Sequence, residues 1–595
     1  MNCMKQVFKT MFASALGVVI GMGILTVIGV FVIMGIVAGV ASGSNEVYTP
    51  KDNTVFTLKL DGTISDQVVD NPFGQLLGEE AEGMALQDVI KAIRNAKKND
   101  KIKGIYLDAG NMGGGFASFE AIRRELQDFK ESGKFIVSYA DAYTQGTYYL
   151  ASVADSVFVN PEGSVALVGL SSQGIFFKNL AAKLGIEFYI FKVGTYKSAV
   201  EPYFMDKFSD ANREQLTSFL GSIWGNIRED VCKSRGIDAQ NFDRYVNEGM
   251  AMKATQLAVD YKLADAMAYR YEAEACVKRL AGQKVDDKLV SASVKKMISI
   301  ADGVKSKQDK IAVVFAEGEI QSKSGSSVDM GDAVITEDLA EDLRKQAKDK
   351  DVKAVVLRVN SPGGSAYVSE QIWKAVVELK AVKPVVVSMG NYAASGGYYI
   401  SCAANKIVAE HSTLTGSIGV FGVVRNAAGT FKLLDVTTDV VKTGTYADMG
   451  DMSRPLREDE KALIQGGVER TYDLFLTRCA DGRGLPKDSV DCIGQGRVWT
   501  GDQALKRGLV DRIGGMDTAV SEAAALAGIT DYSVVQGNEQ KSFFEKYLGK
   551  MQGDVRMTLL RSVMGEESFQ MYTTLQRMKS VSGIQTRMPY LIQGF

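Results

Sequence analysis

Ser395 and Lys197 carry the side chains best suited to covalent chemistry, and each stands in a segment that the chain contains twice. Shifting the numbering by 250 lays Gly146-Thr147-Tyr148-Tyr149 on Gly396-Gly397-Tyr398-Tyr399, Gly113-Gly114 on Gly363-Gly364, and Gly194-Thr195-Tyr196 on Gly444-Thr445-Tyr446. In that register Gln145 lies opposite Ser395, and Ala447 lies opposite Lys197. A serine hydroxyl becomes a nucleophile when an adjacent base takes its proton, and a neutral lysine amine is one such base. Each copy keeps one of the two groups and lacks the other. A single acyl-transfer site assembled from both halves has this pattern.

The neighbourhoods of these residues allow two readings each. A β-branched run, Val385-Val386-Val387, leads through Ala393-Ala394 to Ser395 at the start of a helix. There the unpaired N–H groups of the first helical turn favour an oxyanion, although a serine at a helix start is commonly only a cap. Gly363 and Gly364 follow the strand Val355–Val359, where paired glycines can turn backbone N–H groups into a cleft. With the N–H of Gly396 they could hold the oxyanion of a tetrahedral intermediate, or they could form only a tight turn. Lys197, among Tyr196, Ala199 and Val200, can act as a base only if burial lowers its pKa; in an open loop it is simply solvated.

Composition narrows the chemistry further. The chain has 595 residues, 46% hydrophobic and 24% charged, which is ample for large α/β units with cores of their own. A formal charge of −2, without a Lys/Arg run, gives no footprint for nucleic acid. The one histidine, His411, argues against a His-containing metal cluster and leaves a Ser-His-Asp triad a single candidate, which is otherwise a polar residue after a strand. No metal or other cofactor is expected. The six cysteines, Cys3, Cys232, Cys276, Cys402, Cys479 and Cys492, form no CxxC pair, and Cys402 is expected in the core.

Positioning these residues requires an anchor and two similar domains. No charge occurs from Thr10 to Asn45, and Leu16–Val40 exceeds the roughly 20 residues that a helix needs to cross a bilayer. Lys5 and Lys9 precede it, which places residues 1–9 in the cytoplasm and the rest across the membrane. A cleaved signal peptide is the competing reading, but its apolar region is usually only about 7–15 residues. After 10–45 come a first repeat, 53–282, carrying the lysine, a Lys-rich linker, 283–310, and a second repeat, 311–540, carrying the serine. A tail, 541–595, mixes apolar and charged residues at helical spacing and is expected to be helical. Within each repeat, strands alternate with helical segments, which predicts βαβ crossovers and mostly parallel sheets.

Further motifs occur in order: Tyr196-Lys197-Ser198-Ala199-Val200-Glu201-Pro202, Asn360-Ser361-Pro362-Gly363-Gly364, Ala393-Ala394-Ser395-Gly396-Gly397-Tyr398, Thr415-Gly416-Ser417-Ile418-Gly419, and Val498-Trp499-Thr500-Gly501 through Gly508-Leu509-Val510-Asp511. Together they resemble the long form of bacterial signal peptide peptidase A, or protease IV, of peptidase family S49. The resemblance covers residues 53–540 and the anchor. It implies an α/β fold of two tandem crotonase- and Clp-protease-like repeats behind one transmembrane helix. It also implies a serine endopeptidase in which Ser395 is the nucleophile, Lys197 the general base and Ser417 the group that orients the amine. The implied partners are signal-peptide remnants and other extended apolar peptides, a lipid bilayer, and further copies in a homo-oligomer, with a tetramer suspected. The implied location is the bacterial inner membrane, with the catalytic part on the extracytoplasmic side. A crotonase-type acyl-CoA enzyme and a catalytically silent membrane scaffold are the alternatives. Extracytoplasmic placement argues against the first, and retention of both Ser395 and Lys197 against the second.

Overall fold

The computed structural model describes residues 47–67, 83–300, 307–323, 334–538 and 583–588, with Gly17, Gly21, Ile24 and Gly565 as single residues. Apart from three of those single residues, the anchor expected at 10–45 lies outside the described residues. Among them no helix is long and apolar enough to cross a membrane.

The fold is mixed α/β. Near-continuous apolar strands need cover on both faces, and parallel sheets flanked by helices supply it. In the first half β1 (Thr54–Ser65), β2 (Ile102–Gly113), β3 (Phe135–Ala140) and β4 (Ser156–Val159) are consecutive parallel neighbours in a seven-stranded sheet. Helix α1 (Phe116–Lys130) makes the crossover between β2 and β3, burying Phe119, Ile122, Leu126 and Phe129. Beyond this sheet lie β5 (Glu187–Val193) and the long helix α2 (Asp210–Arg235), capped by the Ser209 side chain and closed by Gly236 at φ 60°.

The second half repeats the plan. β6 (Lys310–Glu317), β7 (Val352–Ser361) and the later β9 (Val385–Ala394) pair in parallel within an eight-stranded sheet. Between β7 and β9 come the short β8 (Gly363–Ser365) and α3 (Ala366–Lys380), which stands 250 positions after α1. After β9 come α4 (Gly396–Ser401), β10 (Leu414–Gly416), β11 (Val420–Asn426), α5 (Glu458–Arg483) and β12 (Val498–Thr500), with β12 antiparallel to β10.

A third sheet joins the halves. β5 of the first copy runs antiparallel to β11 of the second, from Val193↔Val420 to Glu187↔Asn426. On the other edge of β11 lies β13 (Gly583–Arg587), which also pairs with β8. A buried ion pair adds to the joint. Arg358, in the apolar run of β7, donates from Nε and Nη2 to Asp66 at 3.0 and 2.9 Å, and from Nη1 to Ser388 Oγ and the Met389 carbonyl at 3.0 and 2.9 Å. Four of the five guanidinium N–H donors are thus paired, as a charge taken out of water requires.

Two stretches differ from the sequence expectation. The described part of 283–310 does more than link: Ser291–Ala292 pairs with β1, and a helix, Val294–Ile298, buries Met297 against the first core. Ala292 and Met297 supply apolar contacts that the surrounding lysines mask in the composition. Within the tail expected to be helical, the described residues 583–587 form a strand, because both neighbouring strands offer free backbone edges there.

Candidate active site

β9 delivers Ser395 into a backbone conformation that an L residue adopts only under constraint, φ 56° and ψ −113°. Its N–H donates to the Gly416 carbonyl at 2.8 Å and its own carbonyl accepts from Tyr399 N–H at 2.8 Å, which hold the residue on both sides. Its side chain makes no capping hydrogen bond, so the cap reading of this serine falls. Strained backbone at a strand-to-helix turn is a device for presenting a side chain rather than for ending a strand.

What the hydroxyl does meet is the lysine of the other copy. Lys197 Nζ lies 2.8 Å from Ser395 Oγ, 3.1 Å from Ser417 Oγ and 3.2 Å from the Ser417 carbonyl oxygen. The amine gets there because Lys197 sits four residues beyond Val193 and Ser417 three residues before Val420, on paired antiparallel strands. Lys197, Ser395 and Ser417 are all wholly buried. Burial drives the Lys197 pKa well below its ordinary value, and no carboxylate opposes the shift. A neutral amine has two N–H groups and one lone pair. With the N–H groups directed to the carbonyl and hydroxyl of Ser417, the lone pair is left for the proton of Ser395.

The second copy is shaped around this lysine. A methyl group on Gly496 (φ 77°) would lie 2.6–2.7 Å from the N, Cα and Cβ atoms of Lys197, and one on Gly419 would lie 3.2 Å from its Cδ. Tyr196 N–H donates to the Gln495 carbonyl at 2.8 Å, and Ser417 N–H to the Arg497 carbonyl at 2.7 Å. From the first copy, Gln215 on α2 donates through Nε2 to the Tyr196 carbonyl and to Ser198 Oγ, each at 3.0 Å. Its Oε1 accepts from Val498 N–H at 3.2 Å, tying the lysine loop to the strand paired with β10. Gln215 is fully buried and was not anticipated. Standing 18 positions after Lys197 on a mostly polar helix, it carries no sequence signal of its own.

The three glycines part company. A methyl group on Gly363 (φ 97°) would fall 2.6 Å from the Gly396 N, so these two converge beside Ser395. The Gly363 N–H donates to Ser361 Oγ at 3.1 Å. Gly364 instead turns toward the neighbouring strand, where a methyl group would meet the Ile320 carbonyl oxygen at 2.0 Å.

The corresponding places in the other copies hold no chemistry. Gln145 Oε1 accepts from Val168 and Gly169 N–H at 3.2 and 3.1 Å, so its amide fastens a loop. Ala447 repeats the lysine's turn, its N–H donating to Gly444 as that of Lys197 donates to Gly194, each at 3.3 Å, but on an exposed loop. His411 is half exposed, with Nδ1 2.7 Å from Asp502 Oδ1. That carboxylate raises the imidazole pKa to about 9 and engages the ring apart from Ser395. Cys402 is buried in the second core.

Comparison with known proteins agrees with the duplication. The model of peptidase family S49 matches twice, over residues 128–284 and 377–530. Protease 4 of Salmonella typhi is 36% identical over 555 residues, covering 90% of this chain and 88% of that protein. Protease 4 of Haemophilus influenzae is 35% identical over 532 residues, 86% and 85% of the two chains. The chloroplastic serine protease SPPA of Arabidopsis thaliana is 33% identical over 487 residues, 80% and 70% of the two chains.

Proposed function

We propose, for a chain that belongs to peptidase family S49 and is a serine peptidase, that catalysis runs on a dyad of Ser395 and Lys197, one residue from each repeat. The observation that carries this reading is the 2.8 Å approach of Lys197 Nζ to Ser395 Oγ, both wholly buried, with burial alone lowering the amine pKa.

In the proposed cycle, Lys197 accepts the Ser395 proton as Oγ attacks the substrate carbonyl carbon. The carbonyl π electrons move to oxygen, and the backbone N–H of Gly396 stabilises the resulting oxyanion, joined by that of Gly363 as it exchanges Ser361 Oγ for the substrate oxygen. Gly364 shapes the slot in which the peptide lies. The tetrahedral intermediate collapses by breaking the C–N bond, and the Lys197 ammonium delivers its proton to the departing amine. Water then enters, loses a proton to Lys197 and attacks the acyl-serine; collapse returns the proton to Ser395 Oγ and releases the acid. Ser417 keeps the amine pointed at Oγ throughout.

The substrates follow from the family resemblance: signal-peptide remnants and other extended apolar peptides. The uncharged stretch 10–45 behind Lys5 and Lys9 supports a single membrane anchor, with the catalytic repeats on the extracytoplasmic side of the inner membrane. A homo-oligomer on the bilayer surface is part of the same reading. The test is labelling of the full chain with a serine-reactive fluorophosphonate, with and without Lys197→Ala. Labelling at Ser395 that disappears in the variant is expected; labelling that persists at its full rate would leave the lysine without a role.

A further inference from the structure

Two thiols meet in the second core, in contacts that the peptidase chemistry does not use. Cys402 stands just past the end of α4, the helix that begins beside Ser395, and Cys479 lies on α5; both are wholly buried thiols. The Cys402 thiol donates to the Tyr399 carbonyl at 3.2 Å and to the carbonyl of Arg478, the residue before Cys479, at 3.6 Å. The Cys479 thiol is in turn hydrogen-bonded to the sulfur of Cys402. Neighbouring contacts fix the two segments in this register. One turn earlier on both, the rings of Tyr399 and Phe475 pack with centroids 4.5 Å apart. Three residues after Cys479, a methyl group on Gly482 would lie 2.2 Å from the Cys402 carbonyl oxygen, so the backbones all but touch. Glu370 on α3 fastens both segments, accepting from Tyr399 Oη and from Arg478 Nη2, each at 2.6 Å. A crosslink between cysteines demands a close backbone approach with the side chains aimed at each other. Here Gly482 supplies the first and the thiol contact the second.

We propose that Cys402 and Cys479 form a thiol–disulfide site, in which a disulfide oxidant joins their sulfurs and the new bond staples the helix of Ser395 to the helix that supports the lysine loop. That support runs through Tyr472 on α5, whose Oη accepts from Gln495 N–H at 3.2 Å, while the Gln495 carbonyl accepts from Tyr196 N–H at 2.8 Å. In the reaction, one cysteine loses its proton and its thiolate attacks a sulfur of the oxidant, breaking the oxidant's S–S bond and releasing one thiolate, which takes up that proton. The second cysteine then loses its proton and attacks the mixed disulfide, expelling the other half of the oxidant as a thiol. Two protein sulfurs are oxidised and one small disulfide is reduced to two thiols. Burial pushes the Cys479 thiol well above its ordinary pKa, so the attacking thiolate forms while α4 and α5 are apart, during folding or in a local opening. The same burial shields the finished bond from reductants. The extracytoplasmic side proposed above for the repeats is a setting in which such bonds persist. The bond closes a loop of 77 positions from Cys402 to Cys479, which restricts the unfolded chain and so favours the folded one.

The experiment starts from the full-length protein reduced with dithiothreitol. One sample is incubated folded with oxidised glutathione, and another is unfolded and refolded with the same reagent. Mass mapping of a proteolytic digest is expected to find the Cys402 peptide joined to the Cys479 peptide, two hydrogens lighter than the separate pair. Absence of that species from both samples, including the case in which the sulfurs carry only glutathione, would overturn the proposal. The oxidised protein should melt roughly 5–15 °C above the reduced one, the scale for closing a loop of this length. The difference should vanish in Cys479→Ala, or in Cys402→Ala should the first variant fail to fold. Equal melting temperatures for the two forms of the unaltered protein, or a difference that persists in the variants, would remove the staple. Because α4 and α5 are already in contact, turnover of an apolar fluorogenic peptide below the melting range should be nearly equal in the two forms. Loss of most activity on oxidation would mean that the bond distorts Ser395 instead of securing it, and would also count against the idea. The crosslink does not depend on which group is the base: it should form equally in Lys197→Ala, so its failure and the failure of the Ser395–Lys197 reading are told apart.

Discussion

Val193 and Val420 are antiparallel partners drawn from different repeats, and their register sets where the reactive groups meet. One residue of slippage would turn every side chain of β5 to the opposite face. Lys197 would then leave the chamber formed by Gly419 and Gly496. Fusion of the two copies in one chain therefore has a chemical consequence. Lys197 is held by the first repeat, Ser395 by the second, and the sheet between them is the ruler.

Ser395→Ala and Lys197→Ala should each lower peptide turnover by about a thousandfold or more, the scale for losing a nucleophile or its only base. Both variants should fold, as thermal melts would verify. His411→Ala is the control: its ring is bound to Asp502, so turnover should change little. A large loss there would revive histidine chemistry.

One reactive serine per chain is expected. Intact-mass analysis after exhaustive phosphonate treatment should find a single adduct, mapped to Ser395. Gln145→Ser should add no second adduct, because the lysine-equivalent Ala447 lies on an exposed loop. Two adducts in the unaltered protein would contradict a site shared between the repeats.

Gln215 is predicted to act through the lysine loop rather than on the substrate. Gln215→Leu removes the donors to the Tyr196 carbonyl and Ser198 Oγ and the acceptor for Val498 N–H. Turnover should fall roughly 10–100-fold, the scale of a misplaced catalytic group, with KM nearly unchanged. Looser packing admits water to Lys197, so the rising limb of the pH–rate profile should also move to higher pH. A lower melting temperature with an unmoved profile would reduce Gln215 to a structural residue.

Much of this site was legible from the chain because repetition exposes what differs. Gln145 against Ser395, and Ala447 against Lys197, are visible only once the copies are aligned. The apolar runs of β7 and β9 likewise announce themselves, since a strand buried on both faces has no polar alternation to confuse it. The contacts that seat the lysine and that join the halves were not legible. Gln215 meets Val498 across 283 positions, and Arg358 meets Asp66 across 292. Such pairs have no period and no local spacing. The strand at 583–587 was missed for a related reason: its alternation spans only Ile584, Thr586 and Met588, and its partners lie far back in the chain. Helical spacing over the longer tail outweighed so short a pattern.

The pH dependence ties mechanism to stability through one group. Desolvation lowers the Lys197 pKa well below its ordinary value, so the amine is neutral over a pH range in which a solvated lysine, near about 10.4, is charged. Activity should rise with pH as the folded-state amine loses its proton, and then level. Folding stability moves in the same direction. Between the depressed folded value and the ordinary one, the unfolded chain binds a proton at this position that the folded chain does not. Stability therefore increases with pH across that window. Below the folded value both states are protonated, and the full cost of a buried charge remains. Replacing the amine by a thioether of similar length removes the titrating group, so Lys197→Met should be inactive yet melt at or above the wild-type temperature near pH 7. The gap between the two proteins should close as the pH approaches the ordinary lysine value. A variant that melts far lower near pH 7 would mean that the amine is charged and paired in the folded protein, and Lys197 could not then be the base.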